Sequence, residues 1–558
     1  MVEKSSRKIR GRRKEKSATD GFLRTHVAEL ATMQRPVVLI AGPDSSSTLP
    51  QWRAAFQYRL HVVVPSEDAM SLEGINTVVA TTNDQMTAYI LSIGPVAAVI
   101  DEEAQGLVER LQRWQRFFFH VAAGGSYTAP VTAGGTVWDA ATLALTSRRI
   151  GVSEIEELRR SIRVTHESAG YTVTVKDRDH LVKVKDEDAL AVLPTRLGAN
   201  NVRLLGSRGS GSTGNGLQVL VHGASNVQKL PAATMRAPEL TLREFRGGTT
   251  VEGSMLAVQG STVLPSSFKH PWRAWNDRLQ NVNDHVALRR DGGGAAELLA
   301  GSFYDVTGSV DGDEGHFLTE SLPKLWGWSE AKKRDSSLRA LYRTNSSGSA
   351  PVVFQRTLLE AFGISPEDIH IEHRDVVVER FVSGSQAWQN GGRHYAHPVN
   401  REVWAAIRAA LVTVDRTSPA KVFVTRGPAP ETPGPRNRGS VEQLFAQSGF
   451  AVVDVDEMDV AEQAQVFGNA TTIAGFAGSG MYRMLFADHL EKVVVLTHEA
   501  NTGRNEHLFA SLLADEIHYF WSRPDVMHPA GKFSSEAFNS AWDFDVEGNR
   551  DALAALLG

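Results

Sequence analysis

Short β-rich apolar runs, each followed by a stretch of helical character, recur along most of this chain. That alternation limits the fold more than any other feature of the sequence. RPVVLIAG (35–42), LHVVVP (60–65), NTVVATT (76–82), PVAAVID (95–101) and FFFHVAAGG (117–125) read as buried strands, with LPQWRAAFQYRL (49–60) and EAQGLVERLQRWQR (103–116) as helices between them. Continuous apolar strands separated by helices predict parallel, doubly wound α/β sheets. At 558 residues the chain is too long for one core. The pattern divides it into a basic tail (1–25), a Rossmann-like domain (30–150) and a connecting α/β region with a Gly/Ser loop (151–235). Two further α/β halves (236–396 and 397–535) and a C-terminal tail (536–558) follow.

The two later halves repeat the alternation. ELLAGSFYDV reads as a strand, GHFLTESLPKLWGWSEAKKR as a helix, LRALYRT as a strand and VVFQRTLLEAFG as a helix, with IHIEHRDVVVERF extended. HPVNREVWAAIRAALVTV (397–414) reads as a long linking helix. After it come KVFVTR, FAVVDVDE, TTIAGF, KVVVLT and EIHYFW as strands, separated by helices that include GMYRMLFADH. Open α/β sheets of this kind bind ligands at the carboxyl ends of their strands. The loop GSRGSGSTGNG (206–216) has Gly209, Gly211 and Gly214 at dinucleotide-binding spacing, but a strand follows where that motif requires a helix N-terminus. It reads as a hairpin loop.

Composition removes several function classes. There is no cysteine, which excludes disulfides, thiolate zinc sites and a cysteine nucleophile. A net charge of −5 argues against nucleic acid as the partner. No stretch approaches the roughly 20 apolar residues that span a bilayer. MVEKSSRKIRGRRKEKSATD is strongly basic and has no apolar signal core, so it reads as a solvated tail or as a tether to anionic lipid.

Several constellations carry chemistry. In GHFLTE, His316 and Glu320 stand four apart, on one helix face, where the carboxylate can orient an imidazole that takes up a proton near neutrality. Packing and capping are the plainer alternative. Asp311-x-Asp313 is a weak divalent-cation pattern built from ordinary turn residues, Asp454-x-Asp456 a weaker one, and His394 and His397 read as loop residues before a helix. Arg426 at a strand end, with Arg436 and Arg438 in the loop beyond, suits a phosphate-bearing ligand or a solvated loop. Ser440 with Gln443 reads as a capping box. In TTIAGFAGSGMYRMLF (471–486), Gly475, Gly478 and Gly480 let the backbone come close to a ligand, with Ser479 at a helix start that favours an anion.

Taken in order, GHFLTE (315–320), HP (397–398), TR (425–426), the loop arginines, GFAVVDVDEM (449–458), EQ (462–463) and GFAGSGMYRMLF (475–486) resemble glycosyltransferase family 61 over roughly 236–530. The resemblance implies a GT-B-like pair of Rossmann-type domains, here preceded by an additional N-terminal Rossmann-like domain. It implies inverting transfer from a nucleotide-diphosphate sugar to a hydroxyl on a glycan or lipid-linked acceptor, usually with no essential metal and no other cofactor. His316 and Glu320 would be catalytic. Arg426, Arg436, Arg438, Gly478, Ser479 and Gly480 would hold the donor. Two positions depart from the family pattern: its turn histidine falls at Ala477, and its asparagine after the loop arginine at Ser440. These departures leave open a catalytically silent scaffold subunit of a polysaccharide assembly. The expected location is the cytoplasm at the inner face of the membrane, and the expected pathway is cell-surface polysaccharide or glycan synthesis.

Overall fold

The structure is a computed structural model that describes residues 23–66, 75–103, 106–131, 152–223, 229–253, 255–290, 296–310, 312–344, 353–412, 418–425 and 434–557. Residues 1–22 of the basic tail, Asp311 and Arg426 lie outside the described residues. The chain forms two compact units, Met1–Val202 with Ala257–Gly294, and Arg203–Leu256 with Ala295–Gly558. The region 151–235 is therefore divided between them.

In the first unit a seven-stranded sheet runs in the order Asn76–Val79, Leu60–Val64, Val37–Ile40, Val96–Asp101, Val121–Pro130, Tyr171–Lys176, Ile162–Ser168. The first five strands are parallel and the last two antiparallel. Val37–Ile40 and Val96–Asp101 are buried along their whole length, which explains why they read as unbroken apolar runs. Helix Asn83–Ile93 opens with a capping box from Thr82 and Gln85.

The second unit holds two large sheets and two small two-stranded ones. One contains Leu240–Glu252, Val376–Gly384, Glu297–Asp305, Arg339–Arg343 and Ile369–Glu372, with the last four parallel to one another. The other is an all-parallel sheet of six strands in the order Gln218–His222, Ala514–Ser522, Leu490–His498, Thr472–Phe476, Lys421–Thr425, Ala451–Asp454. Its edge strand, Gln218–His222, comes from the region expected to be a connector. Helix Asn400–Leu411 joins the halves and buries Val403, Trp404 and Ile407, spaced to share one face. Trp404 stacks on Phe509 at 5.0 Å and contributes to the core that contains both halves. The expected C-terminal tail instead packs Trp542, Phe544 and Leu553 against Phe423 and Phe445. These large apolar side chains are buried where a solvated tail would expose them.

Four local expectations change. GHFLTESLPKLWGWSEAKKR is not one α-helix. It runs as an α-turn Glu314–His316, a π-helix Phe317–Ser321, a 3₁₀ segment Leu322–Gly327 and an α-helix Trp328–Arg334. Pro323 has no N–H to donate and its ring crowds the preceding turn, so regular α-geometry fails there. GMYRMLF is a 3₁₀ helix, Ser479–Phe486. Helix Arg438–Gln447 starts two residues before the expected cap Ser440, with no side-chain cap at all. Asn437, which occupies the cap position, instead clasps the backbone of Phe544 through both ends of its amide. As expected, no helix follows the glycines of the 206–216 loop, but the loop is not a plain hairpin: Gly211–Thr213 is itself a strand and pairs antiparallel with Met235–Ala237.

Candidate active site

Asp313 caps the turn by accepting the His316 backbone N–H at 2.7 Å. It is thus a capping residue, and Asp454 caps a 3₁₀ turn in the same way by accepting from Asp456. Capping orients the first turn so that His316 Nδ1 lies 2.7 Å from Glu320 Oε1. The second oxygen of Glu320 accepts the Ser309 backbone N–H at 2.7 Å. The glutamate is nearly buried, whereas the imidazole is one-third exposed. An ionised carboxylate only accepts, so Nδ1 carries the hydrogen of this contact, and in the neutral ring the free lone pair is on Nε2. Glu320 belongs to the π-helical step Phe317–Ser321, which begins just after His316.

A buried lysine that the sequence pattern did not reveal supports the segment. Lys324 donates to Asp305 Oδ2 at 2.8 Å and to the Thr307 carbonyl at 2.7 Å, and its own carbonyl accepts Tyr304 Oη–H. Fully enclosed, this ion pair pins the loop that presents Ser309 to Glu320.

The glycine turn meets this segment directly. A Cβ on Gly315 would lie 2.8 Å from Ser479 Cβ and 3.2 Å from Asp313 Oδ1, so only glycine lets the two segments approach. Arg483, also missed in the sequence, is buried in the 3₁₀ helix and bonds to Glu314, to Gln463 Oε1 at 3.0 Å and to the Ser479 carbonyl at 3.0 Å. Its guanidinium lies 4.9 Å from the Phe354 ring centre. Gln463, the second residue of the EQ pair, thereby holds the arginine that ties the turn to the residue two before His316.

Other candidate residues have local partners. The Gly478 N–H donates to Glu506 Oε1 at 2.6 Å, with Gly478 at φ +146°. Arg436 donates to Asp525 at 2.7 Å and to Asp543, and these carboxylates raise its pKa further. Arg438 lies 3.3 Å from Glu442, which also accepts Thr425 Oγ1–H. His397 donates from Nε2 to the Gly209 carbonyl at 2.9 Å and accepts the Val399 N–H, a structural clasp; burial lowers its pKa. The pKa of His394 is lowered by burial and by Arg504. Among the described residues no group of three or more His, Asp or Glu is placed to hold a metal ion. No helix among them is long and apolar enough to cross a membrane.

Solved structures similar to parts of the chain include the MycE methyltransferase from the mycinamycin biosynthetic pathway. Its complex with Mg and SAH is 15% identical over 28% of this chain and 49% of that chain, with a TM-score of 0.23. Its complex with Mg, SAH and mycinamycin VI is 16% identical over 28% of this chain and 47% of that chain, at 0.22. The alignment thus spans about half the length of these chains, too loosely to bear on function. No curated protein matches. Residues 315–494, which carry His316, Glu320, the linking helix and the glycine turn, match the family Glycosyltransferase 61.

Proposed function

We propose that the chain is an inverting glycosyltransferase, moving a sugar from a nucleotide-diphosphate donor to a hydroxyl acceptor across a GT-B-like pair of sheets. The observation that carries this reading is the contact of Gly315 and Glu314 with Ser479 and Arg483, which sets a histidine-carboxylate pair beside a strand-to-helix glycine turn. The acceptor oxygen attacks the anomeric carbon as the bond to the diphosphate oxygen breaks. The acceptor proton passes to Nε2 of His316, and Glu320 stabilises the resulting imidazolium. The departing diphosphate gains negative charge. The first N–H groups of the 3₁₀ helix, at Ser479 and Gly480, together with Arg426 and Arg438, would stabilise it. Arg436 would contribute only after release from Asp525 and Asp543. No metal is needed in this scheme, so chelation leaves turnover unchanged.

The acceptor would be a glycan or lipid-linked sugar in surface polysaccharide synthesis, met at the cytoplasmic face of a membrane that the basic tail contacts. The direct test supplies a panel of nucleotide sugars and oligosaccharide acceptors and follows release of nucleoside diphosphate. Release that depends on acceptor and on His316 supports the reading. Turnover undiminished in His316→Ala removes His316 as the base, and absence of both transfer and nucleotide binding sinks the class.

A further inference from the structure

The first unit lies wholly outside the family match. In its stretch KHPWRAWNDRLQNVNDHVALRR (269–290) two tryptophans stand among five Lys or Arg and two Asp, in a chain whose net charge is −5. Trp275 is 45% exposed, and Arg273, Arg278 and Arg290 are exposed as well. The loop that carries them is fixed from below. Lys183, itself buried, donates to the carbonyl of buried Ala274, between the two tryptophans, at 2.6 Å and to Asn281 Oδ1 at 3.0 Å. Asn276 donates to the Ser267 carbonyl at 2.7 Å and accepts the Arg278 N–H at 2.9 Å.

Backbone pairing concentrates the positive charge. Strands Leu279–Asn281 and Val286–Arg289 run antiparallel, with Leu279 opposite Arg289. One step beyond, the Arg290 N–H donates to the Arg278 carbonyl at 3.2 Å, so these two arginines stand opposite each other on one face of the hairpin. Like charges directly opposed across a strand pair are unfavourable, and an anion from outside relieves them. No carboxylate pairs with Arg273, Arg278 or Arg290 among the described residues. The Arg273 guanidinium lies 5.3 Å from the Trp275 ring centre, and Trp275 Nε1–H donates to Asp277 Oδ1 at 3.2 Å. With its one polar atom taken, the indole offers apolar surface outward, bordered by cations.

We propose that this loop and hairpin form a docking surface for a membrane leaflet that carries anionic lipid. Trp275 sits at the level of the headgroups, where an amphipathic ring is favoured. Arg273, Arg278 and Arg290 make charge-assisted hydrogen bonds to lipid phosphates. Charge complementarity selects this occupant: lipid phosphates above an apolar layer match cations around an exposed indole, whereas a neutral glycan would leave the opposed arginines uncompensated. The surface goes beyond the contact assigned to the basic tail, and it requires neither that tail nor the transfer chemistry.

The test sediments the full chain with vesicles of phosphatidylcholine and phosphatidylglycerol in equal parts, and with vesicles of phosphatidylcholine alone. Wild type is compared with Trp275→Ala and with the double change Arg278→Gln, Arg290→Gln. Wild type should bind the mixed vesicles and not the neutral ones. The double change should weaken binding by about 20-fold, the loss of two cations at an anionic surface. Trp275→Ala should weaken it by about tenfold, through lost apolar burial. Because all three side chains are exposed, urea midpoints should match wild type, which separates lost binding from lost folding. Undiminished binding in both variants overturns the surface and leaves any lipid contact to the tail. Failure of wild type to bind also overturns it. So does binding of polygalacturonate through the same residues without vesicle binding, which would assign the surface to an acidic glycan. Sugar transfer to a soluble acceptor is measured on the same proteins and should be equal in all of them; its absence from wild type would sink the transfer reading and leave the lipid surface standing.

Discussion

At the carboxyl edge of the first unit's parallel sheet, Glu102 accepts from Ser45 and Thr48 at 2.6 Å each, from Trp52 at 3.0 Å and from Tyr171 at 2.9 Å. Its neighbour Asp101 accepts from Arg113 at 3.1 Å and from Tyr127 at 2.6 Å. Gly42 allows the close approach, since a Cβ there would lie 2.1 Å from the Glu102 carbonyl oxygen. At the corresponding edge of the second unit, Thr497 and His498 keep unpartnered atoms beside a cavity and a glycine turn. Two α/β sheets of different strand order thus end differently. In the first, an internal carboxylate takes the donors near a helix start where a ligand's anion would otherwise bind. In the second, Thr497 Oγ1 and His498 Nδ1 are left without a hydrogen-bond partner. Chemistry follows the finish of the edge rather than the fold.

The strongest challenge to this contrast is His316→Ala. Loss of a general base lowers kcat by about 10²–10⁴-fold, read from nucleoside diphosphate release, with KM for the donor little changed. Normal turnover would leave the second edge as inert as the first. Next in size is Glu102→Ala, which orphans four donors and destabilises the first unit by about 3 kcal/mol in urea unfolding, while the transfer rate of the folded protein stays the same. A fall in transfer without a fall in stability would show that the closed edge also serves the reaction.

Acid should sharpen the comparison further. Burial depresses the folded-state pKa of His498 and of His507 to about 4, against 6.5 for the free ring. Between these values the unfolded chain binds more protons, so stability falls as pH drops from 6.5 toward 4 and then levels off. Urea midpoints at pH 7 and pH 5 should differ by on the order of 1 kcal/mol per ring. His498→Leu should abolish its share, and a midpoint independent of pH would show these rings to be hydrated. The smallest effect is expected at Arg436. Its pairs with Asp525 and Asp543 are solvent-exposed, so Arg436→Ala should leave the unfolding midpoint within error. A raised KM for the donor in that variant would mean that the carboxylates release the arginine when ligand arrives.

How far the sequence reveals the site depends on the range of the interaction. His316 and Glu320 are four residues apart, and helical geometry alone predicts their encounter, which the structure places at 2.7 Å. Arg483 and Glu314 are 169 positions apart, and no local pattern could pair them. The same holds for Glu506 on the Gly478 amide, for the two carboxylates on Arg436 and for Lys324 beneath the His316 segment. In sequence, Arg436 and Gly478 look like free anion-binding groups; only the folded neighbours show what already occupies them. Ser440 failed as a cap for a related reason, because Asn437 was recruited by Phe544, more than a hundred residues downstream.

From the sequence alone, many of this protein's longer strands and helices, its α/β class and the adjacency of His316 to Glu320 followed, since residue periodicity and short-range sterics decide these within a few residues. Tertiary structure decided which unit each segment joined, which sheet edge was sealed by Glu102, and which polar atoms at Thr497 and His498 stayed unpaired. Those outcomes depend on burial and on partners brought from distant positions, and the free energy of a polar group is settled only when its final surroundings are complete.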